Sequence, residues 1–241
     1  MPRAARSAMP TPDLLSPAIF AASPELTAGF TLRSFAPPEL TRKAVRDRLG
    51  ERTRFDRVAS VGQVHGADVA TVREGGHVED HDGVVTATRG VLLTVVAADC
   101  ALVLLADPDA GVVGACHSGW RGTVAGVTRH TIRAMEAEGA RAERLLTWLA
   151  PCISAEAFEV GEEVAAQFRP EVVHRRPEWL RPHIDLRAEL RAQLAEAGVT
   201  PGRIGVAAGC TLREPDRFYS YRAEGGTQGR MIGFIGLRPE S

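Results

Sequence analysis

The chain of 241 residues is predicted to adopt an α/β fold, on three observations. Hydrophobic residues make up 44% of the chain and charged residues 24%, which is typical of a globular protein. Short apolar runs rich in β-branched residues alternate with segments of helical periodicity, and the joints between them are short. We therefore expect a single-domain layered α/β/α fold with a mixed central sheet over residues 16–241, after a loose tail at 1–15 that is rich in Pro, Ala and Ser.

The first half of the chain contributes most of the predicted strands. Residues 37–51 predict a short helix, and residues 55–74 predict two strands that meet near His65. Three strongly apolar, β-branched runs then predict buried strands at residues 91–98, 101–106 and 111–117.

The second half predicts longer helices and the closing strands. A helix is expected soon after residue 117, with apolar residues at helical spacing and a stop at Gly139. Asp185 is the expected N-cap of a later helix. The other predicted elements are a strand at 144–151, helices at 160–168 and 185–198, and strands in GRIGVAAGC and GRMIGFIGL.

Bulk composition excludes several functional classes. The net charge of −1 indicates neither a nucleic-acid partner nor an anionic membrane. Lys43 is the single lysine and lies in a polar segment, so neither a Schiff-base lysine nor a phosphate-loop lysine is expected. The four cysteines form no CxxC pair, and prolines interrupt the N-terminal segment where a signal peptide would need an apolar core. These features predict a reduced, cytoplasmic protein, and they leave its oligomeric state unspecified.

Three segments carry metal-ligating side chains at the ends of predicted strands. They are QVHGADV around His65, AADC ending at Cys100 and ACHSGWRG around His117. One thiolate and two imidazoles suit zinc, and three ligands from separate elements leave a fourth position for water or substrate. A buried cysteine or a hydrogen-bonded histidine is the competing interpretation of each residue taken alone.

The segment SGWRGT, which follows His117, predicts an anion site. Ser118 and the glycines after it lie where a strand gives way to a helix, so free N–H groups and the helix dipole favour a phosphate or carboxylate. Arg121 adds a fork of hydrogen-bond donors. Packing of Trp120 and a surface ion pair of Arg121 are the alternative.

Two carboxylates and a C-terminal segment complete the candidate site. Asp82 and Asp99 are candidates for acid/base catalysis; a tight turn is the alternative for Asp82, and a supporting or capping role is the alternative for Asp99. FYSYRAEGGTQGRMIGF places Arg222 and Arg230 around a Gly-rich turn that could close over a ligand, or could form a plain hairpin.

The remaining metal-capable residues are interpreted as structural or solvated. Cys116 adjoins His117 and, in a strand, would point to the opposite face and pack in the core. His77 and His81 lie in an acidic, loop-like stretch, and no partner is predicted for His130, His174 or His183.

Taken together, the chain resembles the laccase-domain proteins. The motifs that carry the resemblance are QVHGADV, DGVVT, AADC with ALVLLADP, CHSGWRG, LAPCIS with FEVGEEV, and SYRAEGGTQGR, in that order over residues 55–237. The family is also called the multicopper polyphenol oxidase family, or the purine nucleoside phosphorylase and peptidoglycan-editing-factor group.

The resemblance implies an α/β/α fold and a zinc ion held by His65, Cys100 and His117. It implies phosphorolysis of adenosine, inosine and methylthioadenosine to base and sugar 1-phosphate, with deamination of adenosine. Nucleoside and phosphate are then the expected partners. In such a site, Asp82 or Asp99 would move protons and Arg121 would hold phosphate.

The N-terminal segment departs from the family pattern. Members typically carry a TxRxGGVS…YxSLNLG-like segment on the substrate side, whereas this chain has FTLRSFAPPELTRKA and keeps only Arg33 as a matching substrate-binding candidate. The usual HAGWRG and GPCIG also become HSGWRG and APCIS. The identity of the substrate therefore stays open.

Three other functions remain as alternatives. A zinc hydrolase that cleaves an amide of nucleotide-linked peptidoglycan precursors would use the same metal and anion pocket. A copper-dependent polyphenol oxidase would need more histidines in HxH pairs than the seven unpaired ones present, although Cu²⁺ binds readily to such ligands. A noncatalytic zinc-stabilised binding module would need a fourth protein ligand such as Cys152.

Overall fold

The computed structural model describes residues 13–226 and 229–239 and contains both strands and helices. Its strands, in chain order, are β1 Leu14–Leu15, β2 Leu26–Thr31, β3 Arg57–Val61, β4 Val69–Thr71, β5 Gly76–Val78, β6 Gly83–Thr86, β7 Val91–Ala97, β8 Ala101–Asp107, β9 Val112–Ser118, β10 Leu146–Leu149, β11 Val173–His174, β12 His183–Ile184, β13 Ile204–Val206 and β14 Met231–Leu237. Its helices are α1 Arg42–Thr53, α2 Trp120–Ala125, α3 Val127–Ala137, α4 Glu162–Ala165 and α5 Leu186–Glu196.

Twelve of these strands divide between two mixed six-stranded sheets, and β11 and β12 pair with each other in a separate two-stranded sheet. Sheet A has the order β1-β2-β14-β7-β3-β5, and sheet B has the order β13-β10-β8-β9-β6-β4. Sheet A pairs β3 in parallel with β7 and β14 antiparallel to β7, and sheet B likewise contains both orientations. The α/β class and the mixed strand directions are confirmed, and the central layer consists of two sheets rather than one.

The two sheets pack face to face and carry helices on their outer sides. Alternate residues of β8, among them Leu102 and Leu104, belong to the core between the sheets. Val103 and Leu105 face the other way, toward α3 and α5. The outer face of sheet A packs against α1. Both faces of the inner strands are therefore buried, which explains why their sequences are continuously apolar.

Most predicted elements are confirmed, with one helix divided in two. The region after residue 117 contains α2 and α3, because Gly126 adopts a left-handed φ of 82° at their junction. Asp185 caps α5 as predicted, since its side chain accepts a hydrogen bond from the N–H of Ala188 at 2.9 Å. The strands at 91–98, 101–106 and 111–117 correspond to β7, β8 and β9.

The N-terminal segment enters the fold at Leu14. Residues 1–12 of the predicted tail lie outside the described residues, whereas Leu14–Leu15 pair antiparallel with β2. Strand β2 was not expected from the sequence pattern, and it places Phe30 against Trp148 and Phe218 in the core between the sheets.

None of the helices in the part of the chain that the structure describes is long and apolar enough to cross a membrane.

Candidate functional site

Two crossings between the sheets bring the predicted metal ligands together. The segment from β3 to β4 and the segment from β7 to β8 both pass from sheet A to sheet B, and they carry His65 and Cys100. His117 lies near the end of β9, opposite Leu102 in the strand register. One potential ligand atom from each of the three residues lies within 4.8 Å of the others.

Left-handed residues allow the chain to turn sharply at both crossings. His65 has a φ of 63° and Asp99 a φ of 84°, a conformation that is uncommon outside glycine. Because this conformation costs energy, it persists only where surrounding contacts hold it. At both crossings a buried carboxylate supplies such contacts.

Asp82 holds the two histidines of the cluster. Its buried carboxylate accepts hydrogen bonds from the backbone N–H groups of Val64, His65 and Gly66 at 2.6–3.1 Å. It also accepts a hydrogen bond from Nδ1 of His117 at 2.7 Å, which leaves Nε2 as the nitrogen available to a metal. Such carboxylate–histidine pairs orient metal ligands in many proteins.

The hydrogen bonds at this site favour charged side chains. Burial would raise the pKa of Asp82, but hydrogen bonds from His117, Gly66 and Val64 outweigh it and lower that pKa. Burial likewise opposes ionisation of Cys100, yet hydrogen bonds with His117 and His65 lower the pKa of its thiol to about 6. The cluster therefore stabilises the thiolate, which is the form of cysteine that binds metals.

Gly119 lies directly against the cluster. A Cβ atom at this position would lie 2.9 Å from Sγ of Cys100 and 3.1 Å from Cδ2 of His65. Because real Cβ contacts under 3.0 Å are essentially never seen, the first glycine of SGWRG is required by space. Its backbone φ of −67° is ordinary, so conformation is not the reason.

A cavity of about 470 Å³ opens at the cluster. This volume lies within the range of about 300–1,000 Å³ found for small-molecule sites. The three potential ligands form part of its wall, and aromatic side chains and arginines form much of the rest: Trp120, Phe158, Tyr221, Arg222 and Arg230. The cavity thus combines a metal-capable group with apolar surfaces and cationic donors.

Asp99 fastens the C-terminal segment to the cavity. Its carboxylate accepts hydrogen bonds from Oγ1 of Thr211 at 2.7 Å and Oγ of Ser220 at 3.0 Å. It also accepts one from the backbone N–H of Arg222 at 2.8 Å, and this holds Arg222 in the cavity wall. These contacts favour the supporting role for Asp99 over proton transfer.

Two predicted substrate contacts, Ser118 and Arg121, lie away from the cavity. Ser118 is fully buried and shares a hydrogen bond of 2.8 Å with Oγ1 of Thr123, so it packs at the start of α2. The exposed guanidinium of Arg121 lies 4.4 Å from the ring centroid of Trp120 and does not line the cavity.

Arg33 also lies outside the cavity wall. Its guanidinium is 4.4 Å from the ring centroid of Tyr219 and forms an ion pair of 2.6 Å with Glu224. Arg33 therefore contacts the C-terminal segment outside the cavity wall. Of the predicted substrate-binding residues, Arg222 and Arg230 are the ones that the structure brings to the cavity.

The other cysteines and histidines take structural or surface positions. Cys116 is buried in the core beneath α3, as predicted, and burial raises the pKa of its thiol to about 11. Cys152 is buried and does not belong to the metal-capable group found among the described residues. His77 and His81 lie near Glu79, and His174 is exposed in β11.

Gln63 is a cavity residue that sequence reasoning missed. Its side-chain amide donates to the carbonyl of Val96 and accepts from the N–H of Val96, both at 2.7 Å. It thereby continues the pairing of β3 and β7 beyond the end of β3 and forms part of the cavity wall. The sequence signal that could have identified Gln63 is its position in the QVHG motif, two residues before His65.

Comparison with known proteins identifies the family of this chain. Residues 39–238 match the family described as multi-copper polyphenol oxidoreductase laccase. The chain belongs to this family. The resemblance inferred from the sequence motifs is therefore confirmed.

Among laccase-family relatives, several carry the names of purine nucleoside enzymes. The chain is 46% identical over 187 residues to a purine nucleoside phosphorylase of Deinococcus radiodurans, covering 76% of this chain and 71% of the relative. It is 36% identical over 160 residues to adenosine deaminase RL5 of an unknown prokaryotic organism, covering 64% of this chain and 61% of the relative.

Solved structures of similar proteins share the fold. The crystal structure of YlmD from Geobacillus stearothermophilus superposes with a TM-score of 0.82 at 30% identity, over 92% of this chain and 94% of that one. Neisseria meningitidis protein NMB0706 superposes with a TM-score of 0.80 at 30% identity, over 95% of this chain and 100% of that one.

Proposed function

We propose that this protein is a zinc-dependent purine nucleoside phosphorylase that acts on adenosine, inosine and methylthioadenosine, and that it also deaminates adenosine. The observation that carries the proposal is the meeting of His65, Cys100 and His117 at the wall of a cavity sized for a nucleoside. The names of the laccase-family relatives support the same reaction class.

The donor set fits zinc. A thiolate with a lowered pKa and two imidazoles are borderline-soft ligands, and the second nitrogen of His117 is already engaged by Asp82. The described residues supply three such ligands, and three leave a coordination position open. When bound here, zinc would act as a Lewis acid toward a substrate atom.

The protein's own residues would bind and orient the two substrates. Trp120 and Phe158 offer aromatic surfaces to a purine, while Arg222 and Arg230 offer guanidinium groups to phosphate. We therefore assign the phosphate contact to Arg222 and Arg230 instead of Arg121. The carboxylate of Asp99 positions Arg222 by accepting a hydrogen bond from the backbone N–H of Arg222.

In phosphorolysis, a phosphate oxygen forms a bond to C1′ of the ribose as the bond from C1′ to N9 breaks. The purine leaves with the bonding electron pair and takes up a proton. Arginines that hold phosphate beside C1′ would accelerate this step by positioning. Asp82 already accepts four hydrogen bonds, so we assign it to positioning His65 and His117 and not to proton transfer.

Deamination of adenosine is the second proposed activity, favoured by the name of the RL5 relative. Water adds to C6 of the purine, ammonia leaves, and inosine remains. This reaction needs no phosphate, whereas phosphorolysis does. An assay without phosphate therefore distinguishes the two activities.

The first test is mass spectrometry of reactions of the purified protein with adenosine or inosine, with and without phosphate. We expect base and ribose 1-phosphate only with phosphate present, and inosine from adenosine in either condition. His117→Ala should abolish both, and His174→Ala, which changes an exposed histidine in β11, should retain both. Absence of turnover by zinc-loaded protein would contradict the proposal.

The alternatives give different outcomes in related assays. Release of an amide-linked product from nucleotide-linked peptidoglycan precursors would favour the hydrolase, and oxygen consumption with a phenol would favour the copper oxidase. Full four-ligand coordination in X-ray absorption would favour the noncatalytic module. The four free cysteines accord with the reducing cytoplasm, where we place the protein.

A further inference from the structure

A hydroxyl, an imidazole and a carboxylate stand in series on sheet A, away from the three potential metal ligands. Ser60 and His77 are direct partners in the parallel pairing of β3 and β5, so their side chains emerge on the same face. Oγ of Ser60 lies 2.8 Å from Nδ1 of His77. Nε2 of His77 lies 3.4 Å from Oε1 of Glu79, two residues further along the chain.

The order of these groups is that of a serine nucleophile, its general base and a carboxylate that orients the base. When the ring proton of His77 is on Nε2, Nδ1 accepts a hydrogen bond from the O–H of Ser60 and Nε2 donates to Glu79. Compared with the serine proteases, the two ring nitrogens exchange places, and the direction of proton transfer is the same. Such triads occur on unrelated folds and are recognised by geometry and role.

Glu79 is placed by its contact with the end of β3. Its side chain folds back over Gly62, because Oε2 of Glu79 occupies the space that a Cβ atom at Gly62 would need. The N–H of Gly62 also donates to the carbonyl of Val78 at 2.8 Å, which holds the two chain segments side by side. The carboxylate is therefore positioned beside His77 although most of its side chain is exposed.

Ser60 and His77 form part of the wall of a small cavity of about 90 Å³. We call this cavity, between residues 36–40, α1 and the outer face of sheet A, the side recess. Ser60 is only 8% exposed, so a group that reacts with its hydroxyl is shielded from bulk water. The other walls are mainly apolar and include Ala36, Pro38, Leu40, Val45 and Ile232.

Arg46 supplies hydrogen-bond donors beside the hydroxyl. Its Nη1 donates to Oγ of Ser60 at 2.9 Å, and Arg46 also lines the side recess. Within the residues that the structure describes, its other N–H groups have no hydrogen-bond partner. They can therefore donate to an oxyanion that forms next to Oγ, which is the role of the donors in an oxyanion hole.

We propose that the side recess is a second catalytic site, which hydrolyses esters of short apolar carboxylic acids through Ser60. The recess shares wall residues with the larger cavity, but none of the three potential metal ligands lines it. The reaction needs neither a metal nor phosphate. This activity therefore goes beyond the proposed function and does not depend on it.

Each step of the hydrolysis has a group to carry it out. Oγ of Ser60 forms a bond to the carbonyl carbon of the ester while its proton passes to Nδ1 of His77. Arg46 donates to the tetrahedral oxyanion. The alcohol leaves with the bonding electron pair and takes the proton from His77. Water, deprotonated by His77, then attacks the acyl group on Ser60, which releases the carboxylic acid and restores the hydroxyl.

The size of the side recess limits the acyl group. An engineered apolar cavity of about 150 Å³ accommodates benzene, so about 90 Å³ holds an alkyl part of about three or four carbon atoms. Butanoate and pentanoate esters are therefore the expected substrates, and longer acyl chains should not fit.

The first test is covalent labelling with a butyl fluorophosphonate, followed by peptide mass spectrometry. Such a probe transfers its phosphonyl group to an activated serine and releases fluoride. We expect one phosphonyl group per chain, on Ser60, and none in Ser60→Ala. Ser34→Ala, which changes an exposed serine outside the recess wall, should be labelled as the wild type is.

The second test measures kcat/KM for p-nitrophenyl esters with acyl chains of two to eight carbon atoms. We expect a maximum at four or five carbons, and near-complete loss of activity in Ser60→Ala. His77→Ala, which leaves the hydroxyl in place, should lower kcat/KM about 10²- to 10⁴-fold. Glu79→Gln should lower it by a smaller factor, because the side chain of Glu79 is 76% exposed.

Several results would overturn the proposal. They are the absence of labelling and hydrolysis in the wild type, a label on Cys100 in place of Ser60, and equal hydrolysis by the wild type and Ser60→Ala. Circular dichroism establishes that each variant is folded, and the labelling of the wild type requires no variant. Nucleoside phosphorolysis is assayed separately, so each of the two proposals can fail while the other stands.

Discussion

Asp82 joins the two histidines of the candidate metal site through a single carboxylate. One of its oxygens accepts from Nδ1 of His117 and from the N–H of His65, and the other accepts from the N–H groups of Val64 and Gly66. Every contact is a donor facing the carboxylate, so the group is needed as an ionised acceptor. We therefore propose that it holds the candidate ligands in place.

Replacing this acceptor should weaken metal binding. In Asp82→Asn, one oxygen becomes an amide NH₂ that faces a hydrogen-bond donor in either orientation, so ligand orientation is lost. We expect the affinity for zinc to fall about 10- to 100-fold, measured by competition with a chromogenic chelator. Asp109→Asn, at an exposed turn, should bind zinc as the wild type does. Wild-type affinity in folded Asp82→Asn would show that the carboxylate is dispensable.

A methyl group at position 119 should also disturb the cluster. The Cβ atom of Gly119→Ala would lie 2.9 Å from Sγ of Cys100, so the thiolate would have to move. We expect less than one zinc per chain by elemental analysis, with the fold retained by circular dichroism. Gly202→Ala, where no atom lies within 4 Å of the added Cβ, is the matched control. Full zinc content in both variants would contradict the close approach.

Among the secondary-structure elements, the turns determine where the side chains at the ends of the strands lie. The apolar pattern predicts strands before and after His65 and Cys100, but both segments change sheets at those residues. Gly126 has a comparable effect on the helices, because its left-handed conformation ends α2 and begins α3. Periodicity alone continues through such a residue, which is why a single helix was predicted.

The junction at Gly126 should be sensitive to substitution. Gly126→Ala places a Cβ atom on a residue with a φ of 82°, which costs about 1 kcal/mol. We expect Tm to fall by about 2–4 °C in calorimetry, with helix content unchanged. Gly202→Ala, whose φ is not in the left-handed region, should leave Tm within about 1 °C. An unchanged Tm in Gly126→Ala would mean that the junction relaxes without cost.

For the whole molecule, the arrangement of two sheets between helices defines three apolar layers. The middle layer lies between the sheets, and the outer layers lie under α1 and under α3 with α5. The candidate metal site lies at the edge of the middle layer, where Cys100 follows strand β7 and His117 lies near the end of β9. The site is thus built on the most buried strands of the protein.

Adjacent residues of β8 pack in different layers, and replacing either one should destabilise the protein to a similar extent. Leu104 packs between the sheets and Leu105 packs under the helices, and both are fully buried. Substitution of either by alanine is expected to lower the free energy of unfolding by about 2–5 kcal/mol, measured by urea denaturation. Val206→Ala, at a partly exposed position in β13, should cost less than about 1 kcal/mol. Wild-type stability of Leu104→Ala would argue against close packing of the two sheets.

The sequence by itself determined the fold class, the central strands and the three metal-capable residues. Strands β7, β8 and β9 were predictable because burial on both faces requires continuous apolar runs. His65, Cys100 and His117 were predictable because each lies in a motif of the laccase family. The opposite orientation of Cys116 followed from the period of two in a strand.

The tertiary structure alone decided how these residues work together. A pattern reports that a residue is buried but not which residue it packs against, so the division into two sheets was not visible. For the same reason, the sequence did not show that Asp82 bonds to His117, which lies 35 residues away. Nor did it show that Ser118 and Arg121 face away from the cavity. Contacts between residues distant in sequence depend on strand register and loop crossings, and these are set by packing of the whole chain.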